Sequence, residues 1–339
     1  MISVILVNWN RRELLRAALE SLARQVDVDF EVIVVDNGSE DGSLEVIRAF
    51  DARFPLRLIR NKDNRGFCAA NNQGIAVARG QFIALLNNDA EADPNWLSEL
   101  RTACEARTEI GMVASKILVY EDPTRIDKVG HLIYPDGQNR GRGSGEVDRG
   151  QYDDFTECLW PDGCAALYRK AMLDEVGGFD EDFFAYADDA DLGMRGRLAG
   201  WDCVYAPGAR VLHHRGTTLG LGSSRRLVLI ERNRVLLAAK LFPWRLLLLN
   251  PFYYLLRLSA GVLAGLRGQG ETKRYPGLAG KARMLWALFR GDCEALYLLP
   301  RILRKRKEIA RFRKRSDAEV LRLLRHHRIS LKEISTQAV

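Results

Sequence analysis

The chain opens on an unbroken apolar, β-branched run, Ile2 to Val7, that stops at Asn8-Trp9-Asn10. Leu14, Leu15, Ala18, Leu19 and Leu22 then recur at helical spacing over Arg12 to Arg24, so strand, loop and helix follow in that order. The pattern repeats. Phe30 to Val35 predicts a second strand ending in Asp36-Asn37-Gly38-Ser39, with a helix from about Ser43 to Phe50. Leu56 to Ile59 predicts a third, with Asn61 to Gly66 as its loop and Ala69 to Ala78 as its helix. Gln81 to Leu86 predicts a fourth, ending in Asn87-Asn88-Asp89. Strands alternating with helices predict an α/β fold with a mostly parallel sheet and right-handed crossovers.

Ligands of such sheets bind outside the carboxyl ends of the strands, where strand order reverses, and here those ends carry carboxylates, amides and glycine. Asp36 directly follows its strand, where it can accept hydrogen bonds from a nucleobase or ribose. Asp89 is placed to hold a divalent cation against a diphosphate. Asn, Asp and Gly after strands are also ordinary turn formers; four such loops at one edge favour a ligand. The chain has neither G-x-x-x-x-G-K-[ST] nor G-x-G-x-x-G, so an ATPase loop and a dinucleotide fingerprint are both unsupported.

Beyond about Ser224 the pattern changes to apolar and aromatic blocks separated by basic residues, such as Leu246 to Leu249, Pro251-Phe252-Tyr253-Tyr254 and Met284 to Phe289. Charge divides at the same place. Residues 1–224 sum to −11, whereas residues 225–339 carry 26 basic against 8 acidic side chains, +18. A basic, apolar and aromatic segment predicts helices lying in the headgroup layer of an anionic membrane surface. The plainer reading is a solvated charged face on helices packed against the first half. Ser316-Asp-Ala-Glu319 has capping-box spacing and predicts a late helix carrying Val320 and Leu324 on one face. The longest apolar stretch, Val235 to Leu266, is broken by Lys240, Arg245 and Arg257, which predicts no membrane-spanning helix.

With 339 residues, 47% hydrophobic and 28% charged, about two folded domains are expected, and collagen-like, disordered and disulfide-scaffold classes are excluded. Six cysteines without a C-x-x-C pair give no zinc ribbon and favour a reducing compartment. Nothing after Met1 resembles a signal peptide. The expected location is cytoplasmic, peripheral on the inner face of the membrane.

Val7-Asn-Trp-Asn10, Val34-Val-Asp-Asn-Gly-Ser39, Asn64-Arg-Gly-Phe67 with Asn71-Asn72, and Leu85-Leu-Asn-Asn-Asp-Ala90 together resemble family 2 glycosyltransferases, particularly the rhamnosyltransferase-like branch. Asp162-Gly-Cys-Ala-Ala-Leu-Tyr-Arg169, Gly177-Gly-Phe-Asp-Glu181, Phe184 to Leu192, Arg195, Gly200 and Pro207 to His213 extend the likeness over about residues 2–235. The resemblance implies a GT-A fold in residues 1–225, with a nucleotide-binding half (1–90) and an acceptor half (91–225), followed by a helical region (226–339).

It also implies a nucleoside-diphosphate sugar donor, with dTDP-rhamnose favoured and UDP-sugars as alternatives, and inversion at the anomeric carbon. The acceptor would be a hydroxyl of a growing, lipid-linked glycan, carried for example on a polyprenyl diphosphate. Asn8, Asp36, Asn64, Gly66 and Asn88 would surround the nucleotide. Asp89, with His213, would hold Mn²⁺ or Mg²⁺, although Asn87-Asn88-Asp89 departs from the usual Asp-x-Asp. Asp189 takes the position of the catalytic base, and Asp188 stands where the family has Glu. Trp160, Asp162, Gly163 and Asp188 would form the acceptor side, with core packing as the other reading of Trp160.

Inverting transfer needs a carboxylate to deprotonate the acceptor hydroxyl and a cation or dipoles to stabilise the departing diphosphate, tasks that Asp189 and Asp89 can divide. Like-charge crowding of Asp188, Asp189 and Asp191 is expected to raise the pKa of one of them. Two rival readings remain at this point: a non-catalytic nucleotide-sugar-binding or scaffold subunit, and a nucleic-acid binder using the +18 segment. No recognisable nucleic-acid module supports the latter.

Overall fold

A computed structural model describes residues 1–154, 156–215 and 223–336 and divides the chain into two units. The first comprises Met1–His131 and Gly141–Arg215; the second comprises Leu132–Arg140 and Gly216–Val339.

In the first unit β1 (Ile2–Asn8), α1 (Arg12–Leu22), β2 (Phe30–Asp36), α2 (Ser43–Ala49), β3 (Leu56–Arg60), α3 (Gly66–Val77) and β4 (Phe82–Leu86) follow the predicted alternation. α3 starts earlier than its apolar spacing indicates, at Gly66, because the Asn64 side chain accepts the Gly66 amide at 2.9 Å. Then come β5 (Ala90–Ala92), α4 (Trp96–Glu105), β6 (Ile110–Val119), β7 (Asp122–Lys128), then β8 (His131–Ile133) and β9 (Asn139–Gly141), which lie mostly in the second unit, and again in the first β10 (Ala165–Arg169), α5 (Lys170–Val176), α6 (Asp188–Leu198) and β11 (Asp202–His213).

The main sheet runs β3-β2-β1-β4-β10-β6-β11-β5, with β7 paired to β6. β1 to β4 are mutually parallel, and strand order reverses between β1 and β4, the switch point where such sheets bind ligands;. β10 is antiparallel to both β4 and β6. Its first residue, Ala165, therefore pairs with Leu86, the last of β4, and the turn before β10 meets the loop after β4. Val4, Leu6, Leu15, Leu19, Val34 and Trp96 belong to the main core. Near-continuous apolar strands of this kind are required where both faces of a parallel sheet are covered.

The second unit is built of α7 (Ser224–Leu241), α8 (Trp244–Leu266), α9 (Gly277–Ile309), α10 (Asp317–His326) and α11 (Leu331–Thr336). The capping box forms: Ser316 Oγ accepts the Glu319 amide, and Glu319 accepts the Ser316 amide at 2.7 Å. Buried charges are compensated within this unit. Arg257 on α8 donates to Asp136 at 2.5 Å and to Glu231 on α7 at 3.1 Å, and Arg234 donates to Glu231 at 2.6 Å.

The expectation that no stretch is long enough to span a membrane is corrected here. Among the described residues, Trp244–Leu266 forms one 23-residue helix that is long and apolar enough by length and composition. Arg245 sits at its first turn and Arg257 turns inward, so neither charge interrupts the helix.

Candidate active site

The carboxyl ends of β1, β2 and β4 are joined through one side chain. Asn8 is fully buried; its Nδ2 donates to Asp36 Oδ1 and to Ser39 Oγ, both at 3.1 Å, and its Oδ1 accepts from Asn88 Nδ2 at 2.8 Å. Asp36 also accepts the Ser39 amide at 2.9 Å, which closes the turn after β2. Asn64 is exposed and bonds Asn37 at 3.3 Å as well as the Gly66 amide. Gly66 has φ +83°, and a Cβ there would lie 2.7 Å from the Phe184 ring, so only glycine fits;. Asn8 and Asp36, at the ends of β1 and β2, thus lie with Asn64, Gly66 and Asn88 at one sheet edge.

Asp89, in the loop after β4, and His213, the last residue of β11, come together although 124 residues apart in sequence. β5 pairs antiparallel with β11, and His213 stands opposite Ala90. His213 Nε2 lies 3.5 Å from Asp89 Oδ1, the separation expected of two ligands on one cation at about 2.1–2.2 Å each. The other ring nitrogen, Nδ1, is 2.7 Å from Asp127, which is itself paired with Arg215 at 2.8 Å. A carboxylate behind a histidine is the usual way of aiming its free nitrogen at a metal, so this donor set fits a divalent cation.

The turn Asp162–Cys164 lies beside this pair, with Cys164 O accepting the Asn87 amide at 2.8 Å. On its other side the Gly163 amide donates to Asp189 Oδ2 at 3.3 Å. Asp189 is held there because α6 packs tightly: Gly193, one turn on, approaches Trp160 so closely that a Cβ would overlap it. The three residues Phe184, Tyr186 and Ala187, just before α6, have φ of 62°, 68° and 56°, a left-handed conformation that non-glycine residues rarely keep outside functional sites.

Lys128 donates to Asp162 Oδ2 at 2.6 Å, and His131 Nε2 lies 2.9 Å from the same oxygen and 3.4 Å from Asp189 Oδ2. Burial acts to raise the Asp162 pKa, but Lys128 and His131 overcome it and hold this carboxyl well below its ordinary range. Burial raises Asp189, with His131 opposing. Burial and the neighbouring Asp189 push Asp188 up to about 8. The acidic cluster is therefore not a solvated turn: Asp188, Asp189 and Asp191 are all buried, and one charge among Asp162, Asp188 and Asp189 is fixed by position. His131, Asp162 and Asp189 also have metal-ligand spacing, but the Lys128 ammonium already neutralises Asp162, so the Asp89–His213 pair is the better cation site.

Trp160 is fully buried and packs against the His131 ring, centroids 5.7 Å apart, so in this structure it is a core residue behind the site. Lys128, His131 and Asp127 have no counterpart in the sequence reading. The signal available was three charged or imidazole side chains within an otherwise strand-like stretch, Ile126 to Ile133.

Residues 3–177 match the family model for glycosyl transferase family 2. An uncharacterized protein of Sinorhizobium fredii is 34% identical over 240 residues, 65% of this chain, and the chain spans only 25% of that relative. The N-acetylglucosaminyl-diphospho-decaprenol L-rhamnosyltransferase of Mycobacterium tuberculosis is 26% identical over 307 residues, covering 81% of this chain and 95% of its own. Among solved structures, mannosyltransferase PcManGT from Pyrobaculum calidifontis, in complex with GDP-Man and Mn²⁺, superposes with a TM-score of 0.54 at 18% identity, over 92% of this chain and 85% of that one.

Proposed function

The chain belongs to glycosyltransferase family 2, with a GT-A type fold and a helical C-terminal region, and from that premise we propose that it is an inverting enzyme that moves a sugar from a nucleoside diphosphate to a hydroxyl of a lipid-linked glycan at a membrane surface. The rhamnosyltransferase relative supports rhamnose as the sugar transferred and a polyprenyl-diphosphate-linked sugar as acceptor; dTDP is the nucleotide we propose for the donor.

In this reading Asp36 and Asn8 receive the nucleoside, and the loop from Asn87 to Asp89 faces the diphosphate. Asp89 and His213 would hold a divalent cation, Mn²⁺ or Mg²⁺, which when bound neutralises charge on the departing diphosphate. Asp189 accepts the proton of the attacking acceptor hydroxyl. Burial raises its pKa toward the range useful for a base at neutral pH;. Lys128 and His131 keep the adjacent Asp162 ionised, so the proton goes to Asp189.

The single observation that carries the proposal is the bond from the Gly163 amide to Asp189 at the same edge as the Asp89–His213 pair. Product formation from labelled dTDP-rhamnose and UDP-sugars with a polyprenyl-diphosphate acceptor tests it. Asp189→Asn is expected to lower kcat about 10²–10⁴-fold with donor affinity retained. Unchanged product formation would remove the catalytic assignment.

A further inference from the structure

α8 has its polarity inside out. Its outward positions Trp244, Leu248, Phe252, Leu255, Val262 and Leu266 lie three, four or seven residues apart, on one helix face, and are 58, 81, 58, 62, 61 and 78% exposed. They form one apolar stripe about 33 Å long at 1.5 Å per residue. The inward positions carry the polar contacts: Arg257 to Asp136 and Glu231, and Tyr254 to Asp292 at 2.7 Å. A water-exposed helix shows the opposite arrangement. α9 repeats the feature with Trp286 and Phe289, 64% and 59% exposed, and large exposed apolar patches rimmed by polar residues mark protein or membrane interaction sites.

Charge identifies the occupant. Arg245 and Arg267 are exposed at the two ends of the stripe, and Arg306 lies over the Trp244 ring, 4.6 Å from its centroid. Exposed Arg301, Arg304 and Lys307 follow on α9, within a segment of charge +18. Apolar and aromatic side chains beside cationic ones match the acyl boundary and phosphate layer of an anionic bilayer.

We infer that α8 lies in the plane of an anionic phospholipid bilayer, its outward stripe embedded and its inward face on the protein. A spanning orientation is disfavoured because it would surround with hydrocarbon the face that Arg257 and Tyr254 tie to Asp136, Glu231 and Asp292. The inference rests on the proposed lipid-linked acceptor for its purpose, and its evidence is separate.

Flotation of the full chain with phosphatidylglycerol-containing and pure phosphatidylcholine vesicles tests it, with sugar transfer to a water-soluble acceptor analogue measured alongside. Wild type is expected to float with anionic vesicles, to float at least tenfold less with neutral ones, and to be released by alkaline carbonate. Leu248→Glu with Leu255→Glu is expected to cut flotation at least tenfold while transfer to the soluble analogue persists. Bromine placed shallowly in the acyl chains should quench the wild-type tryptophan emission more than bromine placed deeply, and Trp244→Phe should remove part of that quenching. Carbonate-resistant flotation or stronger quenching by deep bromine would show a spanning helix and overturn the inference. So would equal flotation of the double variant, or an apolar stripe buried by self-association without vesicle binding. Loss of transfer by Asp189→Asn alone leaves flotation unchanged, so the catalytic and membrane readings fail separately.

Discussion

The ammonium of Lys128 lies 2.6 Å from Oδ2 of Asp162, which decides which of the clustered carboxyls is charged. Lys128→Met leaves Asp162 buried without its main counter-charge. Removing one partner of a buried pair typically costs about 3–5 kcal/mol, so a clear fall in Tm is expected. Adding Asp162→Asn should recover part of it, with a coupling of about 1–3 kcal/mol in a double-mutant cycle by denaturant unfolding. Additive effects would show that the contact holds nothing.

The Asp188 carboxyl gives the protein a stability profile with a definite sign. Its pKa is raised from 3.8 to about 8, so the folded state prefers the protonated form. That contribution is complete below pH about 4 and is lost as pH rises through about 8. Asp188→Asn should therefore flatten the decline in Tm between pH 5 and 8. Asp162 acts oppositely: its lowered pKa contributes stability that disappears as pH falls below the ordinary carboxylate range. A wild-type Tm that rises steadily from pH 5 to 9 would contradict the assignment.

Asp127 touches His213 and not the proposed cation. Chelation with EDTA should abolish activity, and Mn²⁺ or Mg²⁺ should restore it. Asp127→Asn is expected to raise the Mn²⁺ concentration needed for half-maximal activity about 10–100-fold, the usual cost of losing a carboxylate behind a metal-binding histidine. An unchanged Mn²⁺ titration would mean that His213 is not a ligand.

Two glycine substitutions should have opposite signs. Gly193→Ala forces a methyl group into Trp160 and is expected to destabilise by about 1–3 kcal/mol. Gly261 lies inside α8 with nothing within 4 Å of its Cβ position, so Gly261→Ala should gain up to about 1 kcal/mol. Chemical denaturation of both variants measures the contrast.

The alternating strands and helices of residues 1–90 were legible because their information is local. β1, β2 and β4 are apolar runs, Asn8 and Asp36 end two of them, and Asp89 stands three residues after Leu86, the last of β4. The Ser316–Glu319 box was readable for the same reason. Asp127, Lys128 and His131 were not, because nothing near them in sequence states that they will face Asp162 and His213; sheet pairing and the turn before β10 bring them there. The uninterrupted length of α8 was not legible because charge was counted along the chain, whereas what matters is the face a charge occupies, and the inward turn of Arg257 depends on Asp136 and Glu231, residues 121 and 26 positions away.

β10 enters the sheet with Ala165 opposite Leu86, and that alignment works as a gauge. Sliding the strand by one residue would carry the 162–164 turn about 3.3 Å along its axis and turn every β10 side chain to the opposite face. In the proposed reaction the spacing between the Asp89–His213 pair and Asp189 would therefore be calibrated by the β4–β10 ladder bonds, and substitutions at Ile83, Ala84, Leu167 or Tyr168 would detune it from a distance.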